Sequence, residues 1–214
     1  MITLADMSAL TVLYNSPDRH YHNLRHINKC LSYIEDNNLI PWNHKNVIEV
    51  AIWFHDAVYN PYSKYNEHYS ANLFTKSDTY KELAVNGLGE YQLIYDMIFA
   101  TRLHTEDQSF DLYKEDEKLA IEYMLDIDLV GLADDYNDYQ NSAILIRKEY
   151  YNTSIDDFIN GRKKFLEAML ARKSIYYTYQ FKTLNEDKAR SNMQQELDLI
   201  NRGFRHAIHT WYGE

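Results

Sequence analysis

The chain has little that would bend, cross-link or anchor it. Only 3 prolines and 6 glycines occur in 214 residues. So few breakers leave little room for tight turns, which argues against a sandwich or barrel of short strands and for long helices. The one cysteine, Cys30, has no partner for an internal disulfide, and a reducing cytosol is the expected compartment. The opening residues, MITLADMSAL, lack a basic segment followed by an apolar one, so no signal peptide is expected. The longest apolar stretch, VIEVAIWF, is interrupted by Glu49 and too short to cross a bilayer. Positive charge is scarce as well. With 22 Lys and Arg against 32 Asp and Glu, the formal net charge is −10. That balance disfavours polymeric nucleic acid and anionic membranes as partners.

What the chain does have is an ordinary globular composition, 45% hydrophobic and 25% charged, and enough length for one good core. The 20 tyrosines read as amphipathic packing residues. Helical periodicity is widespread. Ile27, Cys30, Leu31 and Ile34 form one apolar stripe, ended by the polar EDNN; Val47, Ile48, Ala51, Ile52 and His55 form another. Residues 90–103, 116–132 and 155–170 also read as helices, the last opened by a capping box of Ser154 and Asp157. Thr183 and Glu186 suggest a second such box ahead of a long helix over about 185–210. Loops are expected at 60–66, where Pro61 interrupts, at 86–89 and at 104–111. No strand run, repeat or linker stands out. The expectation is one all-α domain over residues 1–214, a helical bundle.

Polar residues on the apolar faces carry the functional signal. Residues 53–60 read WFHDAVYN. His55 continues the stripe of Ala51 and Ile52, and Asp56 sits about 100° further round the helix. A buried carboxylate costs several kcal/mol unless something compensates it, and two adjacent side chains can reach one ion lying between them. His26 opens the stripe of Ile27 and Cys30, with His22 one turn earlier. Asp128 falls on the apolar face of its helix, while its neighbour Asp126 has Glu122 and Tyr123 one turn back, a more polar setting. Three helices thus direct His26, His55 with Asp56, and Asp128 inward. Imidazole and carboxylate together suit a divalent ion such as Mn, Fe, Co, Ni, Mg or Zn and leave positions for water and substrate. The bland reading is a set of satisfied core histidines and capping aspartates.

The strings YHNLRHI (21–27), AIWFHDAVYN (51–60), NEHYSA (66–71), LDIDLVGL (125–132) and RKEYYNTSIDDFINGR (147–162) occur in that order. Together they resemble the HD superfamily of metal-dependent phosphohydrolases, most of all a small bacterial branch with YHNLxH and FHDxVY motifs. The resemblance covers roughly residues 14–200. It implies a helical HD-type bundle and a ligand set of His26, His55, Asp56 and Asp128. His22 stands as the alternative to His26, and Asp126 as the alternative to Asp128. Glu67 resembles acidic residues that assist catalysis in relatives, by orienting or deprotonating water. His104 is a candidate for phosphate contact or a second metal, and Arg25 and Arg19 are candidates for neutralising a phosphate. Asn23 and Asn66 are candidates to brace the site.

The implied function is metal-dependent hydrolysis of a small phosphate ester, a nucleotide by expectation, with Asp56, Glu67 and His104 in catalytic positions. One alternative is a regulatory domain that binds a nucleotide without turning it over. Another is a di-iron oxygenase, which would draw on His22, His68 and His104 as further ligands. A zinc-protease reading of His22 and His26 fails, because Asn23 stands where a base glutamate is needed. Substrate, metal and oligomeric state, a homo-oligomer included, are not written in the chain.

Overall fold

The computed structural model describes residues 1–35, 40, 42–85, 89–104, 108–203 and 205–213; for residues 42, 43, 205 and 206 it describes the backbone alone. Among the described residues eleven α-helices follow one another: α1 (Leu4–Tyr14), α2 (Leu24–Glu35), α3 (Trp42–His55), α4 (Asn66–Phe74), α5 (Asp78–Val85), α6 (Glu90–Ala100), α7 (Glu115–Asp128), α8 (Tyr136–Glu149), α9 (Ile155–Ala171), α10 (Tyr179–Arg202) and α11 (Arg205–Trp211). Short 3₁₀ turns follow α6, at Thr101–Leu103, and α7, at Leu129–Ala133. No strand occurs among the described residues, and the fold is all-α. None of the described helices is long and apolar enough to cross a membrane.

Helix α3 is the hub and packs against α2, α4, α6 and α7. The sequence pattern suggested one apolar stripe on it. The structure buries nearly every position from Val47 to His55, including Val50, Trp53 and Phe54 on the other faces. A helix apolar all round belongs in the centre of a bundle. Each fully buried Val, Ile or Phe there contributes about 1.5–3 kcal/mol from burial. Glu49, on the one partly open face, is pushed above the usual carboxylate range by its partial burial.

Local sequence sets several boundaries. The Thr3 hydroxyl accepts from the Asp6 N–H at 3.1 Å and caps α1. The expected Ser154 cap forms, accepting from the Asp157 N–H at 3.1 Å. The box expected from Thr183 and Glu186 does not form. The long helix starts earlier, at Tyr179, with Thr178 as its cap. Thr183 lies inside α10 and donates to the Tyr179 carbonyl at 2.8 Å. Glu186 turns back and accepts from the Ile175 N–H at 3.0 Å. Nor does that helix run on to residue 210: Gly203, at φ +67°, ends α10, and α11 follows.

The helices expected at 90–103 and 116–132 tighten into 3₁₀ turns after Ala100 and Asp128. The loop expected at 60–66 is present up to Tyr65, and Asn66 opens α4. The loops expected at 86–89 and 104–111, and the polar EDNN stop, fall in part on residues 36–39, 86–88 and 105–107, which lie outside the described residues.

Candidate metal centre

Helix endings build the site. His55 is the last residue of α3, with Asp56 just beyond it; Asp128 is the last residue of α7; His104 follows the 3₁₀ turn that closes α6. Three helix endings therefore meet at the centre. His26 enters from the first turn of α2.

The polar atoms meet closely. Asp128 Oδ1 lies 3.0 Å from His26 Nε2 and 3.2 Å from His55 Nε2. Its Oδ2 lies 2.8 Å from His104 Nε2, and Asp56 Oδ2 is 3.1 Å from His55 Nε2. Donor atoms of His26, His55 and Asp56 all fall within 4.8 Å of one another, as do those of His26, Cys30 and Asp128. Ligand atoms about 3 Å apart are what neighbours on an octahedral ion with bonds near 2.1 Å would show.

His55 provides the sharpest observation. Its Nδ1 lies 2.8 Å from the Ile52 carbonyl, which can only accept, so Nδ1 carries the hydrogen. In the neutral ring Nε2 then bears a lone pair, pointed at two carboxylates. Although near them in distance, Nε2 makes no well-directed hydrogen bond, and it is buried. A lone pair facing Asp56 and Asp128 calls for something positive in between, a proton or a metal ion. The charges say the same. Burial alone would lower the His55 pKa, but Asp56 and Asp128 outweigh it and hold it well above 6.5. Burial would raise both aspartates, yet His55 and the other histidines hold them well below the usual carboxylate range. The donor set fits a divalent ion of the mixed N/O-binding kind.

A scan against models of known protein families finds no match, and neither does a search of curated proteins.

The two open alternatives separate here. Asp126 points inward like Asp128 and is fully buried. It accepts from Tyr177 N–H at 2.7 Å, Thr178 N–H at 2.8 Å and Thr178 Oγ1 at 2.7 Å, and so ties α7 to the start of α10. Burial pushes its pKa up to about 7 against those three hydrogen bonds. His22 reaches the same cavity as the centre but is held elsewhere. Its Nδ1 lies 2.7 Å from Glu149 Oε2, and its ring stacks on Tyr59 with centroids 4.1 Å apart. The other oxygen of Glu149 accepts three successive backbone N–H groups, of His20, Tyr21 and His22, at 2.8–2.9 Å. Sequence reasoning missed Glu149. Its only signal was membership in the RKEYYN string, since nothing in helical periodicity singles out a carboxylate reaching across 127 residues to His22.

The remaining candidates divide. Glu67, His104 and Asn66 line a cavity of about 550 Å³ that opens on the centre and is also lined by His22, His26, Asp56 and Asp128. Asn66 braces the loop before α4, bonding both the N–H and the carbonyl of Asn60, at 3.0 and 2.9 Å. His68 is exposed and pairs with Asn72, away from the centre. Arg19 turns to the backbone. It donates to the carbonyls of His22, Asp56 and Ala57, at 3.0, 2.6 and 2.8 Å, and stacks over Tyr14 and Tyr59. Those bonds satisfy carbonyls left unpaired at the end of α3 and fix the Asp56 backbone. Arg25 is exposed and borders a second, smaller cavity of about 210 Å³ on another side of His26. Asn23 caps the turn into α2, its side chain bonding the His20 carbonyl at 2.7 Å and the Arg25 N–H at 2.9 Å.

Proposed function

We propose that this protein is an HD-type metal-dependent phosphohydrolase, acting on a small phosphate ester and foremost on a nucleotide. The observation that carries the reading is the buried, undirected His55 Nε2 near two carboxylates, Asp56 and Asp128, that themselves line a cavity large enough for a small molecule. His26, His55, Asp56 and Asp128 would hold the ion. Bound there, a divalent ion would supply a Lewis acid for a phosphoryl oxygen and lower the pKa of a water.

The chain's own groups would do the rest. Glu67, on the cavity wall, would orient the attacking water and take its proton. His22, held by Glu149 with a pKa raised by Asp56, Glu149 and Asp128 against its burial, would offer positive charge to the phosphate. His104, its Nε2 2.8 Å from Asp128 Oδ2, would contact the phosphate from that side. Neither Arg19 nor Arg25 is needed for it. Arg19 instead keeps Asp56 in place by holding its carbonyl.

The test is elemental analysis of the purified protein, then phosphate release from a nucleotide panel with divalent ions added back. The Asp56→Ala variant is expected to lose bound metal and more than about a hundredfold of turnover together, because a ligand with direct charge on the ion is removed. Its helical circular dichroism should persist. A folded Asp56→Ala protein with normal turnover would sink the reading. Tight nucleotide binding with full metal occupancy and no product would support the regulatory alternative.

A further inference from the structure

Beyond the metal centre, the cavity is walled by α8 and α9 and the residues between them. Half-buried Tyr150 and Phe165 bring aromatic rings to that wall and Ile146 brings aliphatic surface, with buried Tyr139, Ala143 and Phe158 packed behind them. Tyr150 and Phe158 lie with ring centroids 5.5 Å apart. Such a surface suits a flat, uncharged ring, which stacks on aromatic side chains.

Charge on that wall is the second observation. Among the described lining residues Arg162 is the one lysine or arginine. Its Nε and Nη2 donate to the two oxygens of Glu196 at 2.8 and 3.1 Å, and its guanidinium lies 5.0 Å from the centre of the Phe165 ring. Glu196 is fully buried, so the pair is neutral as a unit. The other ionisable groups on this side are acidic: Asp157, exposed, and Glu67, half-buried. A phosphate placed away from the metal centre would lose water and meet a neutral or negative wall. Phosphates are held by unspent Arg or Lys donors, and without them desolvation is costly.

We infer that the site takes phosphomonoesters with a single phosphoryl group, the rest of the molecule being uncharged and carrying a flat ring. A nucleoside monophosphate is the nucleotide of this class, and di- and triphosphates are rejected. The phosphate end rests on the phosphohydrolase reading above; the ring end rests on the α8–α9 wall alone. In the reaction the water oxygen bonds to phosphorus and the ester P–O bond breaks. A proton from the water ends on the departing alkoxide, so an alcohol and inorganic phosphate are released.

Gly161 allows a clean test. It lines the cavity from α9, is exposed, and a Cβ built there meets nothing within 4 Å. Larger residues at this position improve helix propensity and leave the fold intact. The protein loaded with Mn²⁺ is assayed on thymidine 5′-monophosphate, thymidine 5′-triphosphate and glycerol phosphate. The monophosphate is expected to exceed the triphosphate in kcat/KM by about tenfold or more, since unpaired buried charge discriminates strongly. Gly161→Phe should lower kcat/KM for the monophosphate by about fivefold or more beyond any change for glycerol phosphate. Gly161→Arg, which adds an unspent cation, should narrow the gap to the triphosphate. Free thymidine should raise the Tm of the wild type and not that of Gly161→Phe. Equal or better turnover of the triphosphate overturns the inference, as does a Gly161→Phe effect equal on both monoesters. Turnover of none of the three esters, with the thymidine shift intact, overturns the phosphohydrolase reading but not the ring-binding wall. Turnover without any thymidine shift overturns the wall.

Discussion

His55 shows how much one ring can report. Its Nδ1 is spent on the Ile52 carbonyl, and its Nε2 faces Asp56 and Asp128. Without metal, a proton on Nε2 balances those carboxylates. The folded pKa is raised well above 6.5, so this contribution to stability is fully present below pH 6.5 and is lost as pH rises through the folded value. An ion that binds here must displace the proton. Metal affinity should therefore rise with pH, in a window opening above 6.5. Calorimetry in two buffers of different ionisation heat should register proton release on binding; an affinity flat across that window would show that His55 is not a ligand. Glu149 acts by the opposite sign. His22 and the three backbone N–H groups hold its pKa down against burial, so its contribution is present above pH 4.5 and lost as pH falls through the folded value. Replacing Glu149 with Ala leaves those buried N–H groups unpaired. A loss of about 2–4 kcal/mol at pH 7 is expected in urea denaturation, the upper part reflecting hydrogen bonds to a charged acceptor.

At the scale of the element, what matters is where each helix stops. The periodicity of α3 and α7 was plain in the sequence, and so was the inward placement of His55. The stopping points were not. That α7 gives way to a 3₁₀ turn at Leu129, and α6 at Thr101, places Asp128 and His104 at neighbouring helix ends, a coincidence no local pattern encodes. The same limit explains the misplaced start of α10. Thr183 with Glu186 has the spacing of a capping box, yet Thr178 wins, because Asp126 grips its N–H and hydroxyl and fixes the turn there. At the other end of α10, Gly203 adopts φ +67° with open space around it. Gly203→Ala should cost about 1 kcal/mol through backbone strain alone, readable as a lowered Tm with unchanged helix content.

Across the whole molecule, the cavity is the product of two separate tasks. One side gathers the ends of α3, α6 and α7 with the start of α2. The other side is shaped by α8 and α9, locked in place through a buried network in which Glu196 accepts from Arg162, Tyr139 and, at 2.6 Å, Tyr212. Arg162→Met removes the one charge that balances Glu196 inside this wall. The expected cost is about 3–5 kcal/mol, typical of breaking a buried pair from one side, and denaturant unfolding would measure it. A loss under about 1 kcal/mol would mean the two tyrosine hydroxyls suffice to hold Glu196.

The sequence by itself determined the helical class, through scarce glycine and proline and a pervasive 3.6-residue period. It also marked His26, His55 and Asp56 as inward-facing, because an ionisable residue on an apolar stripe is visible in one dimension. Only the tertiary structure separated the surroundings of Asp126 and Asp128. Both lie near the end of one helix, yet the first meets Tyr177 and Thr178 and the second meets His26, His55 and His104. It alone moved Arg19 from phosphate to backbone, recruited Glu149 from 127 residues away, and paired Arg162 with Glu196. The physical reason is common to all of these. Helical period follows from local backbone geometry, whereas the partner of a long polar side chain is set by whatever distant element packing brings within reach.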